Sequence, residues 1–133
     1  MIDINELRSM VLDKDKSAFP AGKMLACVAR KGNQSWIGLN SRKSHPLMFR
    51  KFKNGQENSC CHAEVSAVLQ VPRQCRSLIY LYVVRFLKNG DVTMARPCGL
   101  CRRFLQHNNI NFNRVFYTDW NWNGQWKRLD CSF

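Results

Sequence analysis

The sequence predicts one α/β domain built around a mixed β-sheet. Segments with strand character alternate with segments of helical periodicity along the chain, a pattern typical of α/β proteins. The length of 133 residues fits one domain and leaves little room for a second. Five segments have strand character, and the last two are too close together in the chain to be parallel neighbours. We therefore expect a five-stranded sheet packed against helices.

The first predicted elements are a helix and a strand hairpin. Apolar residues recur at helical spacing over residues 4–14, behind an acidic pair that resembles a capping box, which predicts a short amphipathic helix. Apolar runs predict strands over residues 24–29 and 36–40. A turn at residues 31–33 joins these two strands into a hairpin.

The middle of the chain predicts a helix and a central strand. Residues 62–69 carry apolar side chains on one helical face, and this helix stops near Pro72. Residues 78–84 are apolar on both faces, which indicates a strand in the interior of a sheet. A turn then leads to a short extended segment over residues 92–95.

The last predicted elements are a helix and an antiparallel strand pair. Pro97 suits the first turn of a helix, which ends near residues 108–109. Strands follow over residues 115–118 and 126–129, with Asn123-Gly124 between them. A parallel connection needs about a dozen residues, so these two strands are predicted to be antiparallel.

Composition and charge exclude several classes of protein. Apolar residues make up 45% of the chain, with 15 aromatic residues, which excludes intrinsic disorder. No apolar run is long enough to span a membrane, and the N-terminus lacks the features of a secretory signal, so we expect a cytoplasmic protein without a membrane partner. The formal net charge is +12, and residues 16–133 alone carry 19 bases and 5 acids. The electrostatic field of this positive charge favours a polyanionic partner or substrate. A basic surface that is simply solvated explains the charge equally well.

The cysteines indicate reduced thiols, and some of them indicate a metal site. Seven cysteines is an odd number, and Cys60 and Cys61 are adjacent, which argues against a disulfide scaffold. His62-Ala63-Glu64 is followed by a Pro-Cys-x-x-Cys run at residues 97–101. This pair of motifs matches the signature of zinc deaminases. The chain thus resembles the cytidine deaminase superfamily over about residues 22–130, and the resemblance implies a three-layer α/β/α fold.

The residue types of the motif suit a catalytic zinc ion. Zn²⁺ prefers nitrogen and sulfur ligands in a tetrahedral arrangement, and a catalytic site keeps one position open. His62, Cys98 and Cys101 supply three ligands, and a helix N-terminus stabilises the negative charge of two thiolates. In the family, the glutamate at the position of Glu64 is not a ligand but moves protons between water, the base and the leaving ammonia. The resemblance therefore implies hydrolytic deamination of cytosine to uracil.

A structural zinc site is the alternative to a catalytic one. Cys60 or Cys61 could complete a four-ligand zinc knuckle with the same histidine and cysteines. Such a knuckle leaves Glu64 unexplained. It would fit a non-catalytic, zinc-stabilised domain that binds nucleic acid, and this alternative stays open at the level of the sequence.

Further residues are candidates for contact with the substrate. The family commonly has an asparagine at the position of Asn40, where it binds a ribose hydroxyl or the substrate near the base; a strand-end asparagine that satisfies its own turn is the other reading. Residues 41–58 form a long basic loop, and its start resembles phage-encoded and bacterial deaminase-like proteins. The candidates are Asn40, Arg42, Lys43, His45, Cys61, Ala63 and Trp120, the last by stacking on a base.

The substrate class is left open between nucleosides and phosphate-bearing molecules. The motif at residues 97–103 and the final hairpin resemble free-nucleoside deaminases. The histidine ligand, His62, resembles deoxycytidylate, tRNA-adenosine and polynucleotide cytosine deaminases. The basic charge favours a nucleotide or a single-stranded nucleic acid, and adenine is an open alternative to cytosine. The resemblance also implies a homo-oligomer, since family members often complete the pocket with a neighbouring subunit.

Overall fold

The computed structural model describes residues 2–13, 24–40 and 62–129. Within them, six strands form one mixed sheet that carries helices on both faces. The helices are α1 (Ile4–Asp13), α2 (Ala63–Gln70) and α3 (Gly99–His107), and the strands are β1 (Met24–Lys31), β2 (Gln34–Leu39), β3 (Tyr80–Phe86), β4 (Val92–Thr93), β5 (Val115–Tyr117) and β6 (Lys127–Arg128).

The strand order in the sheet is β2-β1-β3-β5-β6, with β4 paired to the end of β3. Among the strands of the described residues, only β3 and β5 are parallel neighbours, and α3 lies in the connection between them. The final pair, β5 and β6, is antiparallel as predicted, because the short connection leaves no room for a crossover. The prediction of five strands is wrong by one. After the turn at residues 88–91 the chain folds back far enough for β4 to pair with Arg85 and Phe86.

Side chains of β1 alternate between the two faces of the sheet and divide the core into two parts. Met24, Ala26 and Val28 pack with α1 on one face. Cys27 and Ala29 pack with α2 and α3 on the other face. This alternation has the period of a pleated strand. The layers are therefore helix, sheet and helices, which confirms the three-layer α/β/α prediction.

Some element bounds differ from the predicted ones for local reasons. Arg73–Leu78 forms a 3₁₀ helix, so β3 begins at Tyr80 instead of residue 78. Leu78 is apolar but 48% exposed, which explains why the apolar pattern extended the strand too far. Pro97 was predicted in the first turn of α3, but it precedes the helix, because Cys98 occupies the N-cap. Among the described residues, we find no helix with the length and apolar character to cross a membrane.

Candidate active site

The N-termini of α2 and α3 meet on the same face of the sheet and bring the two sequence motifs together. His62 occupies the N-cap of α2 and Cys98 the N-cap of α3, both with extended backbone. Cys101 lies in the first turn of α3 and is fully buried. Because a helix begins with unpaired N–H groups and a positive dipole end, the N-cap position of Cys98 favours a thiolate over a thiol.

The donor atoms of these three residues form one compact cluster. Nδ1 of His62 lies 3.1 Å from Sγ of Cys101 and 3.8 Å from Sγ of Cys98. All three donor atoms lie within 4.8 Å of one another. Tetrahedral zinc with bonds of about 2.0–2.3 Å separates its ligand atoms by about 3.5–3.8 Å. The nitrogen and sulfur donors and their spacing therefore fit Zn²⁺.

The two thiols of the cluster differ in their proton affinity. A hydrogen bond from the Cys101 thiol, helped by His62 and by the Cys101 backbone N–H, lowers the pKa of Cys98 to about 4. That backbone N–H donates to Sγ of Cys98 over 3.5 Å. The reciprocal bond and burial raise the pKa of Cys101 well above its ordinary value. Cys98 is thus a thiolate at neutral pH, the form in which a cysteine binds metal.

Glu64 lies beside this cluster in the first turn of α2. Its side chain is buried, with 3% of its surface exposed. Burial is the main cause that raises the pKa of the Glu64 carboxyl, while the charge of His62 acts in the opposite direction. The carboxyl also interacts electrostatically with His62 and Cys98, which places it next to the donor cluster. A buried carboxyl with a raised pKa holds its proton to a higher pH than an exposed one, which suits a group that accepts and returns protons.

Asn40 follows β2 and joins that strand to the start of β1. Its Oδ1 accepts a hydrogen bond from the backbone N–H of Leu25 over 2.9 Å, and its own N–H donates to the Leu25 carbonyl. Gly38, two residues earlier, lies directly beneath the backbone of Ala63, the first residue of α2. Asn40 therefore lies at the end of β2, two residues beyond the contact between that strand and α2. Its side-chain oxygen stabilises the sheet.

Ala63 and Trp120 occupy very different surroundings. The Ala63 side chain is fully buried in the core, so only its backbone is available to a ligand. Trp120 is 66% exposed just beyond the carboxyl end of β5, where the sequence places it. Its backbone N–H donates to Oδ1 of Asp119, and Asp119 also pairs with Lys127 over 2.6 Å.

A model of the cytidine and deoxycytidylate deaminase zinc-binding region matches residues 3–118 of the chain. The chain belongs to this family. A search of curated proteins found no match. The match covers both motifs, and the His, Cys and Cys cluster fits the zinc that the family binds.

Solved cytidine deaminases share the fold of this family member. The enzyme from Mycobacterium tuberculosis superposes with a TM-score of 0.51 at 17% identity, over 96% of this chain and 91% of that chain. The enzyme from Mycobacterium leprae gives a TM-score of 0.50 at 15% identity, over 90% of this chain and 89% of that chain. The likeness extends over nearly the whole of each protein and shows the fold.

Thr118 holds in place the segment that precedes the candidate site. The sequence analysis did not identify this residue as a candidate. Its Oγ1 donates to the Thr93 carbonyl over 2.7 Å, and its N–H donates to the Val83 carbonyl over 3.1 Å. Its own carbonyl accepts from the N–H of Ala95. Thr118 therefore fixes the segment that leads into α3 and the two cysteines of the donor cluster. A threonine directly after a buried strand was the available signal, but its partners are distant in the chain.

Several predicted substrate contacts lie outside the described residues. They belong to the basic segment between β2 and α2 or directly precede the histidine. These residues are Arg42, Lys43, His45 and Cys61, and Cys60 of the alternative zinc knuckle lies there too.

Proposed function

We propose that this chain is a zinc-dependent hydrolytic deaminase that converts cytosine to uracil in a phosphate-bearing substrate. The substrate would be a deoxycytidylate-like nucleotide or a single-stranded nucleic acid. One observation carries the proposal: three zinc-type donor atoms lie within 4.8 Å of one another, with a buried carboxyl beside them. A purely structural zinc site has no use for a buried acid of this kind.

His62, Cys98 and Cys101 would hold the metal through Nδ1 and two sulfur atoms. When bound, zinc supplies a Lewis acid that brings the pKa of water to near 7. Three protein ligands are the number that a catalytic zinc site uses. The low pKa of Cys98 supports this role, because a thiolate does not have to lose a proton before it binds.

Glu64 would move the protons of the reaction. Hydrolysis forms a bond from the water oxygen to the carbon that carries the amino group, and the bond from that carbon to nitrogen then breaks. The Glu64 carboxylate accepts a proton from the attacking water and gives it to the ring nitrogen. It then accepts the proton of the new C–OH group, which becomes the carbonyl, and gives it to the leaving ammonia. Burial of Glu64 supports this role, since it raises the pKa of the carboxyl and so favours the protonated form that a proton donor needs.

The remaining candidates would bind the substrate around this centre. Asn40 would bind a sugar hydroxyl or the base, and the Ala63 backbone would hold the polar edge of the base. Trp120 would stack on the base from the exposed side of the site. We assign contacts near the base to Cys61 as well, and contacts with phosphate to Arg42, Lys43 and His45.

The charge of the chain supports a phosphate-bearing substrate. A formal +12 attracts anions, and a bare nucleoside carries no charge on which this field can act. Free cytidine is the second candidate. It is favoured by the nearly full-length likeness of the fold to cytidine deaminases from two mycobacteria.

A turnover screen separates these candidates. The zinc-loaded chain is incubated with cytidine, deoxycytidylate, single-stranded DNA, RNA and adenosine, at low and high salt, and ammonia and the mass of the base are measured. We expect conversion of a phosphate-bearing cytosine substrate that slows with salt, and a rate at least about a hundredfold lower with Glu64→Gln. If cytidine alone is converted, the phosphate part of the proposal fails. If adenosine alone is converted, the base assignment fails. A zinc-loaded chain that releases no ammonia from any of them is not a deaminase of these substrates.

A further inference from the structure

A row of aromatic rings crosses the face of the sheet that lies opposite the candidate active site. Tyr82 stacks with Phe116 at a centroid distance of 5.4 Å and meets Trp126 edge-on at 5.3 Å. Tyr80 stacks with Phe116 at 6.5 Å, and Trp122 meets Trp126 at 5.1 Å. We call these five residues the aromatic face. It crosses β3 and β5 and extends to the edge at β6.

The strand alternation places the aromatic face away from the zinc-type cluster. Leu81 and Val83 of β3 are buried against the helices of the candidate active site, so Tyr80 and Tyr82 point to the other side. On that side, α1 covers the opposite end of β3. Arg8 of α1 lies over the Phe86 ring at 5.7 Å and donates to the Gly90 carbonyl.

The aromatic face is partly open to solvent. Tyr80 is 43% exposed, and the other four rings are half-buried. Large aromatic residues are usually buried, and exposed groups of them mark binding surfaces more often than scattered single ones do. The rings also hold one another in place, so little side-chain freedom is lost when a flat ligand stacks on them.

Arginines surround these rings. Arg30 pairs with Tyr80 across β1 and β3, and Arg128 pairs with Phe116 across β5 and β6. The guanidinium carbon of Arg114 lies 5.0 Å from the Tyr80 ring centroid. Burial raises the pKa of Tyr82, and the charge of Arg30 partly opposes this rise, which agrees with their closeness.

Four acidic side chains of the described residues lie away from the aromatic face, each in a contact or environment of its own. Asp119 is paired with Lys127, whose neighbour Tyr117 is buried on the other face. Asp91 is bonded to Asn89 in the turn after β3, and Asp3 caps the N-terminus of α1. Glu64 is buried beside the zinc-type cluster. The arginines around the aromatic face are therefore not neutralised by these acids.

We propose that the aromatic face is a binding site for single-stranded nucleic acid, separate from the deaminase site. Bases would stack on the rings, and the phosphates would contact Arg30, Arg114 and Arg128. Rings with cationic borders on an open sheet are the combination that binds single strands without reading their sequence. This site does not depend on zinc or on turnover. The binding proposal can therefore be tested independently of the proposed function.

The positive border argues for this occupant over a second copy of the chain. A copy with the same excess of positive charge would bring arginines against arginines at a two-fold interface. A polyphosphate backbone satisfies the same arginines and releases counterions when it binds.

A binding measurement with a chemically inert strand tests the proposal. The zinc-loaded full chain is titrated into a labelled oligothymidylate of about ten nucleotides, and fluorescence anisotropy is recorded. Thymine has no exocyclic amine, so this probe is not a deaminase substrate. We expect Tyr80→Leu to weaken binding about tenfold, because stacking is lost while apolar bulk is kept. Tyr80→Phe should bind like the wild type.

Two further comparisons identify the forces involved. An abasic strand of equal length should bind the wild-type chain more weakly than oligothymidylate, and this difference should shrink in Tyr80→Leu. A plot of log affinity against log salt concentration has a negative slope. Arg128→Gln should make this slope shallower by about 0.7, the contribution of one phosphate on a single strand. Zinc content and thermal unfolding check that each variant is folded.

Three results would overturn the proposal. The first is equal affinity of wild-type and Tyr80→Leu chains for oligothymidylate. The second is a loss of binding in Trp120→Leu without one in Tyr80→Leu, since the strand would then bind beside the deaminase site. The third is a change of oligomeric mass in Tyr80→Leu with unchanged binding, since the face would then join copies of the chain.

Discussion

Gly38 of β2 lies so close beneath Ala67 of α2 that a Cβ atom at position 38 would overlap the Ala67 backbone nitrogen. The same atom would lie 2.5 Å from the carbonyl oxygen of Ala63. Both neighbours are backbone atoms, so they cannot move aside by a change of rotamer. The contact sets the height of α2 above the sheet, and α2 carries Glu64 and is capped by His62.

Gly38→Ala should therefore disturb the zinc site as well as the fold. The helix has to shift to admit the methyl group, and overpacking of this kind destabilises a protein by about 1–3 kcal/mol. We expect the midpoint of thermal unfolding to fall by several degrees and the zinc content to decrease. Ser35→Ala on the same strand is the control, because Ser35 is exposed. Unchanged zinc content and stability in Gly38→Ala would show that the close contact does not hold α2.

Glu64→Gln should change the pH dependence of stability. Burial raises the pKa of the Glu64 carboxyl in the folded chain above its ordinary value of 4.5. The unfolded chain therefore loses this proton first, and ionisation favours unfolding as the pH rises above 4.5, until the carboxyl of the folded chain ionises too. In urea unfolding of the metal-free proteins, the wild type should lose stability relative to the variant over this range. Parallel curves from pH 4 to 8 would contradict the raised pKa.

Zinc removal should expose one reactive thiol in the cluster. Cys98 is exposed and its pKa is about 4, so it is a thiolate unless the pH falls below that value. Cys101 is buried and its pKa is raised. At pH 6, iodoacetamide should modify Cys98 of the chelator-treated protein before Cys101, as read by peptide mass spectrometry. Zinc should protect both, and faster modification of Cys101 would contradict the assigned thiolate.

Asn40 has a structural and a proposed substrate role, and two variants separate them. Asn40→Ala leaves the Leu25 N–H without its acceptor and should lower the free energy of unfolding by about 1 kcal/mol. Asn40→Asp keeps an oxygen for Leu25 but loses the amide N–H donors. We expect Asn40→Asp to retain most of the stability while its KM rises. A variant that is stable and has an unchanged KM would leave Asn40 a structural residue only.

The sequence predicted the order of elements because each one carries a local periodic signal. Helix α2 and strand β3 are examples, since their apolar patterns and their stop signals lie within a few residues. The antiparallel final pair followed from the length of its connection. Strand β4 was not predicted as a strand of the sheet, because two residues are too few for a periodic pattern.

The grouping of the candidate site residues was also predictable, but the distant contacts that hold them in place were not. Residue type and spacing in the sequence identify the four central candidates, which are His62, Glu64, Cys98 and Cys101. Thr118 and Gly38 act through backbone atoms of segments far away in the chain, and nothing in their local sequence specifies those partners. The aromatic face arises in the same way. Tyr82 and Phe116 meet because β3 and β5 are parallel neighbours, and this pairing depends on the topology.

The most direct test of the central claim is ammonia release from a cytosine substrate by two proteins with equal zinc content. The wild-type chain and Glu64→Gln are loaded with zinc, their metal content is matched, and deoxycytidylate is added. The account predicts ammonia from the wild type together with a gain of about one dalton in the base. It also predicts a rate at least about a hundredfold lower with Glu64→Gln. Equal rates from the two proteins, or no ammonia from the zinc-loaded wild type, would contradict it.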